Sequence, residues 1–213
     1  MNNTRTRRLA LLAGTSAAVL ASATVVVAAS GQATTAPKIV QFSMARSANA
    51  VAINCLKNAT ASVTVTPGGP VDHMRVVANG LPASTDFDLF VIQVPNAPFG
   101  FSWYQGDLET NSSGHADQTY VGRFSIETFT VAPGTAPAPV VHTTPIRDAS
   151  SNPATAPIHQ YHLGLWFNSP TDATKAHCQS TVTPFNGEHT AGVQALSTRG
   201  FPNTAGPLKG IHP

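Results

Sequence analysis

Charged residues make up only 10% of this 213-residue chain, where soluble domains ordinarily carry about a quarter. A helix on the surface of a domain needs Glu, Lys and Arg along its outer face. With so few of them, a helix-rich fold is excluded. Ser, Thr, Asn and Gln must supply the solvated surface instead. That suits strands, whose outward polar residues alternate with inward apolar ones. The 16 Gly and 17 Pro cut the chain into short pieces, and its length allows one domain or two small ones.

Short β-branched runs recur every ten to fifteen residues. Ile39 to Phe42, Val51 to Ile53, Ala61 to Thr66 and Met74 to Ala78 are each bounded by turn formers. Phe87 to Val94 alternates Phe87, Leu89 and Val91 against Asp88, Phe90 and Ile92, and both faces are largely apolar, which predicts a strand inside a sheet. Ser102 to Glu109 and Gln118 to Val131 read as two arms of a hairpin around Asn111-Ser112-Ser113-Gly114. His159 to Phe167 reads as one strand, with Tyr161, Leu163, Leu165 and Phe167 on one face and His162, Gly164 and Trp166 on the other. Val140 to Thr143, Thr181 to Phe185 and Ala191 to Ser197 are further candidate strands. One short helix is expected near Pro170 to Ala176, where Pro170 fits a first turn and Asp172 faces the helix dipole. The fold class is therefore all-β: an antiparallel β-sandwich of Greek-key or immunoglobulin-like type.

The first 33 residues have the form of a signal peptide. Arg5, Arg7 and Arg8 precede a run from Leu9 to Ala29 without charge, and small residues follow at Ala28-Ala29-Ser30 and Gly31-Gln32-Ala33. The Ala, Thr and Ser content of the run favours a cleaved signal over a membrane span. Arg7-Arg8 resembles a twin-arginine signal, but Ala10 stands where a bulky apolar residue is usual, so general secretion is the expected route. The expected organisation is a signal peptide over 1–33 and a single sandwich domain over 34–199. A Pro-rich excursion at 133–157 interrupts the domain, and a flexible tail follows at 200–213. Losing three arginines with the signal leaves nine basic against ten acidic residues, a net charge of −1. Such a surface predicts no nucleic-acid partner and no attraction to anionic membranes. The mature chain is expected to be secreted, without a membrane span.

Cys55 and Cys178 are the only cysteines. In an exported chain they read as one disulfide, which would close a loop worth about 5 kcal/mol of unfolded-state entropy.

Eight histidines stand beside ten acids. His142, His159, His162, His177 and His189 are the candidate metal ligands, since neutral imidazoles suit copper or zinc. His159 and His162 are spaced i, i+3, which on a strand points the rings to opposite faces. Most such histidines would be ordinary polar residues, and no resident cofactor is expected on the primary reading.

Gly106-Asp107-Leu108-Glu109-Thr110 followed by Gly114-His115-Ala116 is similar to a stretch of copper/zinc superoxide dismutase, in which a GDL motif precedes a turn and a Gly-x-Ala. That resemblance implies a Greek-key sandwich with one disulfide. Only Asp107 matches a ligand position: Tyr104 stands where the family has a zinc-binding histidine, and no His-x-His pair lies upstream. Over residues 76 to 131 the order Gly80-Leu81-Pro82, Phe87-Asp88-Leu89-Phe90-Val91, Gly106-Asp107-Leu108 and Gly114-His115-Ala116 also resembles uncharacterised exported sandwich proteins of high-GC Gram-positive bacteria. This second resemblance implies fold and export, with no activity attached.

Phe99, Phe101, Trp103 and Tyr104 follow Pro95-Asn96-Ala97-Pro98. On a loop tip they would suit stacking on a sugar ring or a partner surface, while the alternation of Phe99, Phe101 and Trp103 favours the start of a buried strand. No Gly-x-Ser-x-Gly occurs after the signal. A carboxylate pair for glycoside chemistry would have to come from Asp86, Asp88, Asp107, Glu109, Asp117, Glu127 or Glu188, and Asp86 and Asp88 read as turn-satisfying residues. The expected function is a secreted, non-catalytic module that binds an extracellular protein or glycan. The alternative is an extracellular copper- or zinc-binding protein on a dismutase-like sandwich.

Overall fold

The computed structural model describes residues 38–124, 128–133 and 155–212. The strands in chain order are β1 (Val40–Arg46), β2 (Thr60–Thr66), β3 (Asp72–Asn79), β4 (Asp86–Ile92), β5 (Ser102–Glu109), β6 (Ala116–Gly122), β7 (Phe129–Pro133), β8 (Thr155–His159), β9 (His162–Phe167) and β10 (Gln194–Ser197). Two short helices are α1 (Ala48–Ala52) and α2 (Pro170–Lys175). Eight strands join in the order β5-β4-β9-β10-β1-β2-β3-β6, and β7 pairs with β8 apart from them. Every pairing is antiparallel. β1 is shared: Val40–Met44 pairs with β2, whereas Ala45 and Arg46 pair with β10. The large sheet thus turns at β1 into two halves that close over one core, as the all-β sandwich expectation requires.

The period-2 pattern supplies that core. Val63, Val65, Met74 and Val76 come from one half, and Phe87, Leu89, Val91, Leu163, Leu165 and Phe167 from the other, all fully buried. Each such side chain contributes roughly 1.5–3 kcal/mol by leaving water. The opposite face of β4 and β9 is covered as well. Phe90, Ile92, Trp166 and Ala191 form a second apolar cluster there, with Phe99 and Phe185 packed against it. β4 therefore lies mid-sheet between β5 and β9, with apolar residues on both faces. Helix α2 forms where its signals stand: Ser169 caps it by accepting from the Asp172 amide at 3.1 Å, and Pro170 opens it.

Cys55 and Cys178 are bridged, with their Cα atoms 5.5 Å apart. Each follows a short helix, and the bond ties α1 to α2 from opposite ends of the chain.

Several expectations are corrected. Val51 to Ile53 is not a strand; the segment turns into α1 because the Ser47 hydroxyl caps it, accepting from the Ala50 amide at 3.0 Å, and Ala-rich sequence follows. The arms flanking Asn111–Gly114 do not pair with each other. The turn itself forms, with Asn111 Oδ1 accepting from the amides of Ser113 and His115. Thr110 Oγ1, however, ties it to the Pro82 carbonyl at 2.7 Å, and Leu81 donates to the Gly114 carbonyl. Gly114 sits at φ +75° with Leu81 O where a Cβ would be. These anchors send β5 to β4 and β6 to β3, one in each half of the sandwich. The second arm also ends at Gly122 rather than Val131.

The expected strand from His159 is broken at Gln160-Tyr161 into β8 and β9, which lie in different sheets. Thr181 to Phe185 contributes only a single bridge, Thr183 to Ala191. The ends of the Pro-rich excursion pair as β7 and β8, while Val140 to Thr143 lies outside the described residues. The tail is not loose over its described residues. A 3₁₀ turn at Pro207–Gly210 buries Leu208, and Ile211 is fully enclosed in the main core. Gly206 passes so close to the Tyr161 carbonyl that a Cβ would overlap it.

Candidate functional site

Strands β4 and β5 are neighbours, and their register sets Asp88 directly across from Asp107 and Asp86 across from Glu109. Directly opposed residues share a face, and like charges so placed repel. This is the outer face of the sheet half, the one that carries Phe90 and Trp166. A register shift between Leu89 and Phe90 places Tyr104 opposite Phe90, their rings 5.8 Å apart and edge-on. The Tyr104 hydroxyl then donates to Asp107 Oδ1 at 2.6 Å.

The third wall comes from the segment after α2. Asn186 is buried; its amide donates to the Asn168 carbonyl at 3.0 Å, and its Oδ1 accepts from the amides of Thr190 and Ala191. These bonds fold residues 185–188 over the end of β9. A cleft of about 590 Å³ results, lined by Asp88, Tyr104, Asp107, Asn168, Phe185, Asn186, Gly187 and Glu188.

Asp88 is the unusual residue of this cleft. It is 2% exposed, and its Oδ2 has no hydrogen-bond partner. Burial first and the Asp107 charge second push its carboxyl up to about 6, with Glu188 and Asp86 adding to the rise and Asn186 opposing it. Burial, and then the bond to Asp107, raise the Tyr104 hydroxyl above its ordinary value. The arrangement is a half-enclosed negative site with one exposed phenol ring (Tyr104 is 48% exposed) and an aromatic floor. A second cleft of about 670 Å³ lies between Gln105–Glu109 of β5 and Asp117–Val121 of β6, and Asp107 borders both.

The four aromatics do not gather on one loop tip. Phe99 is in the outer apolar layer, 4.9 Å from the Trp166 ring. Phe101 is exposed, and Trp103 packs against the main core with its indole N–H near Gln105 Oε1. Only Tyr104 reaches the cleft. The structure therefore corrects the reading of Asp88 as a turn residue: it is a buried strand residue beside an apolar layer, and that burial is what raises its carboxyl.

The candidate metal ligands are also spread out. His162 is buried with both nitrogens engaged, Nδ1 with Thr198 Oγ1 at 2.9 Å and Nε2 with the Pro202 and Asn203 carbonyls at 3.2 Å. His159 stacks on Tyr161 with ring centroids 5.0 Å apart. His177 and His189 are exposed, and His142 lies outside the described residues. No three His, Cys, Asp or Glu side chains form a group able to hold a metal ion among the described residues. No helix among them is long and apolar enough to cross a membrane.

Asn168, Asn186 and Gly187 had no signal in the sequence, because a loop arriving from eighty residues away leaves no local pattern. Comparison with protein-family models, curated proteins and solved structures finds no match to this chain.

Proposed function

We propose that this chain is an exported, non-catalytic binding module that receives its ligand in the cleft between Asp88, Tyr104 and Glu188. The observation that carries the reading is Asp88. A buried carboxylate with an unpartnered oxygen costs several kcal/mol in a site that an apolar residue would fill at no penalty. Its neighbours are a second carboxylate, an exposed phenol ring and an open cleft, which is the composition of a recognition site. The Arg-rich N-terminal pattern and the bridged cysteines support export. A copper or zinc role for His162 would require giving up the bonds that both its nitrogens make.

The test is a fragment screen read by amide chemical shifts of the isotope-labelled folded domain. Hits should converge on Asp107, Gly187 and Glu188 and weaken by about tenfold in Tyr104→Ala, since a stacked ring contributes on the order of 1 kcal/mol or more. Hits that gather elsewhere, such as the groove beside His159 and Asn203, would overturn it.

A further inference from the structure

The charge of the cleft names the ligand more closely; this inference rests on the binding reading above. Asp88, Asp107 and Glu188 line the cleft, and Asp86 and Glu109 flank it on the same two strands, so that the four strand acids stand in two like-charged cross-strand pairs. Ion pairs among the described residues join Arg75 to Asp117, Arg123 to Asp72 and Lys175 to Asp172. None reaches this face. The second, independent observation is Asp88 Oδ2, buried, without a partner and bordering the cleft.

We infer that the cleft between Asp88, Asp107 and Glu188 binds a primary ammonium group carried on an uncharged stem.

Three candidate cations are separated by geometry. A divalent metal ion wants several oxygens in one shell, and no three-residue acid group suited to it forms among the described residues. A guanidinium is best held by both oxygens of one carboxylate in a planar fork. Asp107 gives its Oδ1 to the Tyr104 hydroxyl, so it cannot offer that fork undisturbed. An ammonium is a compact charge with three donors. It can take single oxygens from separate groups, here Asp107 and Glu188, with the Asp88 charge beneath. The rings of Tyr104 and Phe185 line the same cleft and suit an aliphatic stem, with the Tyr104 face available for cation–π contact. The ammonium could belong to a lysine side chain or to a free diamine, and the chemistry recognised is the same.

The experiment is an amide-shift titration of the folded domain with Nα-acetyl-lysine methylamide, putrescine, the matching norleucine and arginine amides, and a neutral oligosaccharide. Both amines should move the amides of Asp107, Gly187 and Glu188, and norleucine amide should not. Asp107→Asn and Glu188→Gln, near-isosteric changes at exposed positions, should each weaken the amines by about tenfold. Added salt should weaken them further. A lysine amide that binds more tightly than putrescine assigns the source to a polypeptide, and the reverse order assigns a small diamine. Arginine amide binding more tightly than lysine amide would overturn the ammonium assignment. Saturation by the oligosaccharide with no response to amines would overturn it too, yet leave the cleft as the binding site. Silence of these amides to every probe, in a domain whose spectrum is otherwise intact, would remove both the ligand class and the site.

Discussion

At the residue scale one carboxyl group dominates the chemistry of the cleft. Asp88 is held near 6 in the folded protein against an ordinary 3.8, first by burial and then by Asp107. The folded protein therefore binds more protons than the unfolded chain between about pH 4 and pH 6. Stability falls as the pH rises across that window and stays reduced above it. A midpoint moved from 3.8 to about 6 corresponds to roughly 2–3 kcal/mol. Asp88→Asn removes the charge and should raise the melting temperature at pH 7.5 by roughly 5 °C. The gain should vanish near pH 4, where Asp88 is itself protonated. Thermal scans of both proteins at the two pH values check this, and a variant less stable at pH 7.5 than at pH 4 relative to the parent would contradict it. A change that stabilises the fold while it weakens ligand binding is the signature of a functional position.

At the scale of elements, alternation within a strand was legible and the destination of each strand was not. The two faces of β4 followed directly from Phe87, Leu89 and Val91 set against Asp88, Phe90 and Ile92. The alternation set Asp88 beside Phe90 and Ile92, yet the residue read as satisfying a turn, and its burial in an apolar layer emerged only from the structure. Its meeting with Asp107 was not legible, because the register depends on the connection through residues 93–101 and on the shift opposite Gly106. The turn at Asn111–Gly114 was likewise readable as a turn, while the Thr110 bonds that route β5 and β6 to different halves are long-range.

The tail misled for a related reason. Pro and Gly signal poor regular structure, but Leu208 and Ile211 still find the core, and His162 fixes the path by bonding the Pro202 and Asn203 carbonyls. Leu208→Ala should cost about 2–5 kcal/mol, measured by denaturant unfolding; a loss under half of one would mean that the tail does not contribute. Burial holds His162 below its ordinary 6.5 despite those bonds. The unfolded chain then takes up the proton first, so His162 lowers stability as the pH falls below about 6.5. Its contribution therefore opposes that of Asp88 in mildly acidic solution. His162→Ala should flatten the acid limb of the stability profile as well as lowering the plateau.

For the molecule as a whole, two halves of one sheet, a second apolar layer and a single bridge supply stability that tolerates a costly cleft. The Cys55–Cys178 bond spans 123 residues of sequence, and the chain-entropy model gives it about 5 kcal/mol. The Cys55→Ser, Cys178→Ser double variant should unfold at distinctly lower denaturant, and an unchanged midpoint would mean that the two helices are held by packing alone. Fold class and disulfide were legible because they depend on composition, periodicity and count. The site was only partly so: Tyr104 and Asp107 stood out as residues, Asp88 read as a turn residue, and their assembly required tertiary structure. The protonation of the assembled protein is read most directly by a residue-resolved titration of all its aspartate carboxyls by carbon NMR. Asp88 should show a midpoint near 6, with Asp117, paired to Arg75, held below the ordinary range. An Asp88 midpoint at the ordinary 3.8 would show a solvated carboxylate and contradict the buried, ligand-seeking group on which the proposed function rests.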